Sequence, residues 1–149
     1  MDTVKEILEG KDGEIWSIME SQSVYDAIAR MAEVGVGALP VLTEEARLVG
    51  IISERDYARK VILDGKSSQD TPVADIMTRD VVFVNDDTTV DKCMALMSHH
   101  KIRHLPIMHD AKLTGIVTAG DVMKFMIRKQ SNTIEELESY IMEERGGSG

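Results

Sequence analysis

The chain has 149 residues, and its 17 Lys and Arg stand against 26 Asp and Glu, a formal net charge of -9. That balance argues against a nucleic-acid backbone as the main partner, because affinity there comes mostly from cations neutralising phosphates. With no run of eighteen apolar residues to span a membrane, no secretory pattern at the start and a single cysteine that excludes an intramolecular disulfide, the expectation is a soluble cytoplasmic protein.

In chain order, VKEIL at 4 to 8 comes first, followed by a loop of Gly10, Lys11, Asp12 and Gly13. Ile15 to Ile18 is a short apolar run that predicts a strand. Ser23 stands where an N-cap hydroxyl belongs, and Val24, Ala27, Ile28 and Met31 at i, i+3, i+4, i+7 predict one apolar helix stripe. Two further strands are predicted at Ala38 to Leu42 and Val49 to Ile52. After Ser53-x-x-Asp56 the pattern turns helical, through Tyr57 to Leu63. Residues 64–72, with the polar stretch DGKSSQDT, read as a linker.

The same series then recurs. VADIM at 73 to 77 matches VKEIL, and Val81 to Val84 predicts a strand. Thr89 caps a stripe of Val90, Cys93, Met94 and Met97, where Cys93 reads as a small core side chain rather than a nucleophile. Strands are predicted at His104 to Met108 and Thr114 to Val117, then Thr118-x-x-Asp121 opens a helix through Val122 to Arg128. Pro40 and Pro106 are 66 apart, whereas Asp56 and Asp121 are 65 apart. The slip belongs in a hairpin turn, since loops absorb insertions that strands cannot. The chain is thus of α/β (α+β) class with two repeats, 4–63 and 73–128. Each is marginal alone for want of buried surface, so the two are expected to share one core.

In the tail, Thr133-Ile134-Glu135-Glu136 is a capping-box sequence ahead of Leu137, Tyr140 and Ile141. It predicts a C-terminal amphipathic helix over 133–143, broken from the preceding one by Ser131 and Asn132, whose apolar stripe covers either this module or a second copy. Residues 146–149 read as a flexible end. His99, His100, His104 and His109 fall on a helix end, a strand start and a hairpin turn, so convergence on a metal is not expected. No nucleophile elbow or Walker loop occurs, and no enzyme activity, catalytic residue or metal is assigned.

The Pro-bearing strands (ALPV, HLPI) followed by GIISERD and GIVTAGD resemble the cystathionine-β-synthase-type domain, or CBS domain, in its usual tandem pair. The resemblance covers residues 4 to about 128. It implies a three-stranded sheet flanked by helices in each repeat, a pseudo-twofold axis, and two clefts between the repeats. In many members these bind AMP, ADP, ATP, S-adenosylmethionine or NAD(H), and the family often forms homodimeric discs.

Each Ser/Thr-x-x-Asp has two readings. Ser53 with Asp56, and Thr118 with Asp121, could simply cap a helix; alternatively the helix N-terminus meets phosphate and the carboxylate holds ribose hydroxyls. Gly50 and Gly115 either leave room for close approach or serve a turn or bulge. Pro40 and Pro106 lack a backbone donor, and the resemblance implies that main-chain groups of Leu39, Val41, Leu105 and Ile107 face an adenine edge. Phosphate cations are expected in Arg55, Arg103 and His104, split unequally between the copies. The reading is a regulatory adenine-nucleotide-binding module, with the nucleotide as regulatory ligand and no required cofactor. Its signal would pass through a dimer surface to an unknown protein partner; the alternative is a ligand-free interaction scaffold.

Overall fold

In the computed structural model, residues 2–9, 11 and 14–148 are described, with the backbone alone for 132–134 and 143–148. The first copy comprises helix α1 (Val4–Leu8), strand β1 (Ile18–Met19), α2 (Val24–Val34), β2 (Ala38–Leu42), β3 (Leu48–Ser53) and α3 (Glu54–Tyr57), which runs on as a π-helical stretch, Ala58–Ile62. A 3-10 turn at Val73–Asp75 opens the second. It is followed by α4 (Val90–His100), β4 (His104–His109), β5 (Lys112–Thr118) and α5 (Ala119–Ser148).

Local chemistry explains the helices. Ser23 accepts from the Asp26 N–H and Thr89 from the Lys92 N–H, both at 3.1 Å, each supplying one partner for the open donors of a first turn. The helices end where Gly35 and Lys101 adopt left-handed φ of 75° and 55°, a C-terminal stop that suits glycine and that Lys101 adopts at some cost. Between these ends Val24, Ala27 and Met31, and likewise Val90, Cys93 and Met97, are buried.

The first sheet has order β1-β2-β3, with β1 parallel and β3 antiparallel to β2; the second pairs β4 with β5 antiparallel. The third strand expected at Val81 to Val84 is reduced to one parallel bridge, Val84 to Ile107. In the first sheet the Glu20 N–H extends the ladder by donating to Leu42 O. At the matching place the Asn85 side chain accepts from the Asp87 N–H and folds the chain into a turn. Both hairpins carry an irregularity at the same point, after Val41 and after Ile107. The one-residue slip lies where the pattern placed it, because the second hairpin turns through Asp110 and Ala111 alone, both at positive φ as a two-residue type I′ turn requires.

Burial divides differently from the repeat boundaries. Val73, Ile76 and Met77 pack with Ile18, Leu39, Val41 and Ile52 of the first sheet, while Val4 and Ile7 pack with Leu105, Ile107 and Val117 of the second. Each repeat therefore lends its leading segment to the other. Main-chain bonds repeat the exchange: Val4 N–H to Thr88 O and Lys5 N–H to Asp86 O in one half, Val73 N–H to Gln22 O and Ala74 N–H to Glu20 O in the other. Residues 64–72 are not a loose tether, since Thr71 is buried, its hydroxyl donates to Ser67 O at 2.6 Å, and its carbonyl accepts from the Val24 N–H.

The tail departs from expectation. Helix α5 runs unbroken through Ser131 and Asn132 to Ser148, roughly 45 Å at 1.5 Å per residue. Nothing in the backbone stops it, as Ser and Asn disfavour a helix interior only by fractions of a kcal/mol, about 0.7 or less. The capping-box sequence at 133–136 thus lies inside a helix, with the Thr133 side chain outside the described set. Residues 146–148, expected as a flexible end, continue the helix, and Gly149 lies outside the described residues. Leu137, Tyr140, Ile141 and Met142 remain exposed, so the stripe does not cover this module. Among the described residues no helix is long and apolar enough to cross a membrane.

Candidate functional site

The two Ser/Thr-x-x-Asp motifs form the same reciprocal cap. Asp56 N–H donates to Ser53 Oγ at 3.2 Å while Ser53 N–H donates back to Asp56 Oδ2 at 3.0 Å. At the other end Asp121 N–H donates to Thr118 Oγ1 at 3.0 Å and Thr118 N–H to Asp121 Oδ2 at 2.9 Å. Next to them, Glu54 N–H donates to Gly37 O and Ala119 N–H to Arg103 O, so both helix starts are tied to the residue just ahead of the Pro-bearing strand. Capping therefore occurs at both sites.

What differs is the rest of each carboxylate. Asp56 Oδ2 also accepts from the Ser53 hydroxyl at 3.1 Å, and Oδ1 meets Lys60 Nζ at 3.1 Å and the Thr78 hydroxyl at 3.4 Å. Both oxygens are occupied. Asp121 Oδ2 takes Lys11 Nζ at 2.7 Å besides its cap, whereas Oδ1 accepts no hydrogen bond from the described residues. Burial raises the Asp121 pKa, but Lys11 and Thr118, through its N–H and its hydroxyl, outweigh it and hold the carboxyl below the usual range, so the group is an anion whose Oδ1 is open among the described residues.

The clamps on the two carboxylates are also unlike. Thr78 is locked to Ile51 by bonds in both directions, Thr78 N–H to Ile51 O at 2.9 Å and Ile51 N–H to Thr78 O at 3.0 Å. Lys11 performs the equivalent task with its side chain alone, donating to Ile116 O at 2.8 Å and to Asp121. A lysine ammonium on a four-carbon stem can move off without breaking main-chain pairing.

Around Asp121 opens a groove of about 440 Å³ lined by Ile7, Lys11, Asp121, Lys124, Ile127 and Arg128. Its volume lies within the usual range of small-molecule sites, about 300–1,000 Å³. His104 lies close by, lowered from its usual pKa mainly by burial and by Arg103, with Asp121 and Glu54 opposing and Lys11 adding to the shift. A methyl on Gly37 would lie 3.8 Å from its Nε2 and 4.0 Å from Glu54 Oε1, so His104 reaches across to the first repeat.

Folded His104 resists protonation, so its contribution to stability is complete above the usual value of 6.5 and is lost as pH falls through the lower folded value. Stability in urea should therefore decline below pH 6.5, and His104→Gln should flatten that part of the profile. A variant with the wild-type profile would contradict this.

The residues singled out from sequence are thus only partly gathered. Ser53 and Asp56 form a saturated cap; Thr118 and Asp121 border the groove, with Arg103 and His104 within electrostatic reach. Arg55 is exposed on α3 and does not line the groove. Leu39, Val41, Leu105 and Ile107 have no exposed side-chain surface, Pro40 and Pro106 are buried, and Pro106 O is taken by the Val84 N–H. At Gly50 the close approach is made by Met77 and Thr78 O, and a Cβ on Gly115 would make only ordinary contact with Ile107 and Leu8. Lys11, Lys124 and Arg128 were not foreseen. Helical spacing of i+3 and i+7 from Asp121 could have pointed to the last two; Lys11 arrives from 110 residues away.

Burial raises the Cys93 pKa, in keeping with an inert core thiol. Among the described residues no three His, Cys, Asp or Glu side chains converge as metal ligands, and the His99 and His100 rings pack edge to face at 4.8 Å.

Paired sheets, exchanged leading segments and twin Ser/Thr-x-x-Asp helix starts define a tandem α/β module. The CBS-domain pattern matches residues 4–63 and 73–128, and the chain belongs to that family. It is 37% identical over 147 residues to the CBS domain-containing protein CBSX3, mitochondrial, of Arabidopsis thaliana, covering 93% of this chain and 71% of that protein. A solved protein with CBS domains from Burkholderia ambifaria MC40-6 is 44% identical with a TM-score of 0.82, over 86% of this chain and 96% of that one. The CBS domain pair of protein MJ0100, solved with 5′-methylthioadenosine and S-adenosyl-L-methionine, is 28% identical with a TM-score of 0.77, over 87% and 98%.

Proposed function

We propose that the chain is a regulatory module that binds an adenosine-containing ligand beside Asp121 and reports occupancy through a homodimer surface to a protein partner. The observation that carries this reading is an ionised Asp121 at a helix start, its Oδ1 accepting no hydrogen bond from the described residues, inside a groove of about 440 Å³. Such a carboxylate can accept ribose hydroxyls. The adenosine ligands of MJ0100 support the ligand class, and the exposed apolar residues of α5 from Leu137 to Met142 support self-association. The net charge of -9 disfavours nucleic acid or an anionic membrane surface as a partner. No catalytic residue, metal or required cofactor enters it.

A second reading has one specific observation behind it, the saturation of Asp56, which suits a helix cap with no ligand role. It applies to the first repeat and, if general, makes the chain an interaction scaffold.

Thermal unfolding with AMP, ATP, S-adenosylmethionine and NADH separates the two. A ligand at a hundred times its Kd adds about 2.7 kcal/mol, or roughly 5–10 °C for a chain of this size. Asp121→Ala should abolish the shift and Asp56→Ala should retain it. No shift with any of the four ligands would favour the scaffold.

A further inference from the structure

The family pattern stops at residue 128, but helix α5 runs on to Ser148. The added length carries Leu137 and Ile141, 58% and 51% exposed, and Met123 and Ile127 nearer the start of the helix are 62% and 55% exposed. These four fall on alternating d and a positions of one heptad frame, with the exposed Gln130 at the d position between them. A repeat of 3.5 residues keeps such a seam facing a single partner helix. The seam also points away from the module. Val122 and Phe125, which pack on the second core, lie roughly 130° round the helix from it at 100° per residue, so a second helix can lie along the seam without displacing α5.

Charge says what that second helix is and which way it runs. Lys124, Arg128 and Lys129 come first along α5, and Glu135, Glu136 and Glu138 follow, all of them exposed. A second copy laid parallel would set these glutamates beside their own equivalents, whereas an antiparallel copy brings each half against its opposite. The apolar register agrees. Met123 opposite the partner's Ile141, and Ile127 opposite the partner's Leu137, are both centred on position 132. At that register Lys124 and the partner's Glu138 both stand at heptad position e, beside the seam, where interhelical ion pairs form. Met126 and the partner's Tyr140, both at position g, meet in the same way, sulfur against ring.

We infer that α5 pairs with α5 of a second copy of this chain as an antiparallel two-stranded coiled coil, its twofold axis near position 132. The inference rests on the self-association in the functional reading above and not on its ligand. The seam from Met123 to Ile141 is about 27 Å long at 1.5 Å per residue, and it leaves one module at each end of the pair. Ile127 belongs both to the seam and to the wall of the groove. The partner's Leu137 therefore sits at the groove's edge, and the pairing and the groove share a side chain.

Sedimentation equilibrium of the full chain without ligand tests this. Wild type should be a dimer, and Leu137→Glu/Ile141→Glu should weaken it roughly a hundredfold or more, since the large apolar side chains of both copies lose their cover. Lys124→Glu and Glu138→Lys should each weaken it about tenfold, the scale of two exposed ion pairs turned repulsive, and Lys124→Glu/Glu138→Lys together should restore wild-type affinity. Such rescue excludes misfolding as the cause of the single losses. A dimer that survives Leu137→Glu/Ile141→Glu, or charge variants that do not rescue one another, overturns the inference while leaving self-association through another surface or orientation. A monomeric wild type overturns it together with the self-association of the functional reading, and ligand binding is then judged by its own thermal shift.

Discussion

Ile7→Ala is expected to destabilise the chain by about 2–5 kcal/mol, the range for truncating a fully buried aliphatic side chain. Ile7 is 1% exposed, yet it lies in a five-residue helix that would be marginal in isolation. Its burial comes from the second repeat, where it joins Val4, Leu105, Ile107 and Val117. The lost methyl groups would open a cavity between α1 and β5, and because the helix is tied to the second repeat through Thr88 O and Asp86 O it cannot readily slide to fill it. Urea unfolding measures the loss. A change below 1 kcal/mol would mean that α1 is not part of that core. Because the groove also uses Ile7, nucleotide affinity should fall in the same variant.

Gly50→Val should cost about 3 kcal/mol or more, at the upper end of ordinary overpacking. A Cβ at Gly50 would lie 2.6 Å from Met77 Sδ, 2.9 Å from Met77 Cγ and 3.0 Å from Thr78 O. Met77 is itself buried, so it has nowhere to retreat, and Thr78 O is fixed by the Ile51 N–H. A Cβ at Gly115 would lie 3.4 Å from Ile107 Cδ1 and 4.0 Å from Leu8 Cδ2, ordinary contacts, so Gly115→Val should cost far less. The sequence treats these two glycines as equivalents. Equal thermal shifts in the two variants would show that the clash at Gly50 is relieved elsewhere.

Much of the fold is legible along the chain because the relevant forces act over a few residues. Ser23 and Thr89 bond to amides three residues on, and Val24, Ala27 and Met31 share a face through helical geometry alone. The paired prolines and the Ser/Thr-x-x-Asp motifs locate the hairpins and the helix starts for the same reason. Where reading was less successful, competing local bonds intervened. Asn85 turned a predicted strand into a single bridge, and Ser131 with Asn132 were too weak as helix breakers to end α5.

The candidate site was half visible. Asp56 and Asp121 stand in near-identical sequence, and nothing within either motif says that one carboxylate is saturated and the other open. That depends on Lys60, four residues on from Asp56, and on Thr78 at one end and Lys11 at the other, the last two brought there by the exchange of leading segments. Arg55, adjacent to Asp56 in sequence, is exposed and does not line the groove, whereas Lys124 and Arg128, three and seven residues on from Asp121, do. Adjacency along a helix rotates a side chain by about 100° per residue, so the nearest cation in sequence is seldom the nearest in space.

The sequence by itself determined the family, the duplication, the helix caps and the hairpin positions, all products of short-range bonding and periodic burial. Only the tertiary structure decided which half of the chain completes which core, and which aspartate has both oxygens occupied. Both are matters of contact between residues from 22 to 110 positions apart, set by packing that no local pattern encodes.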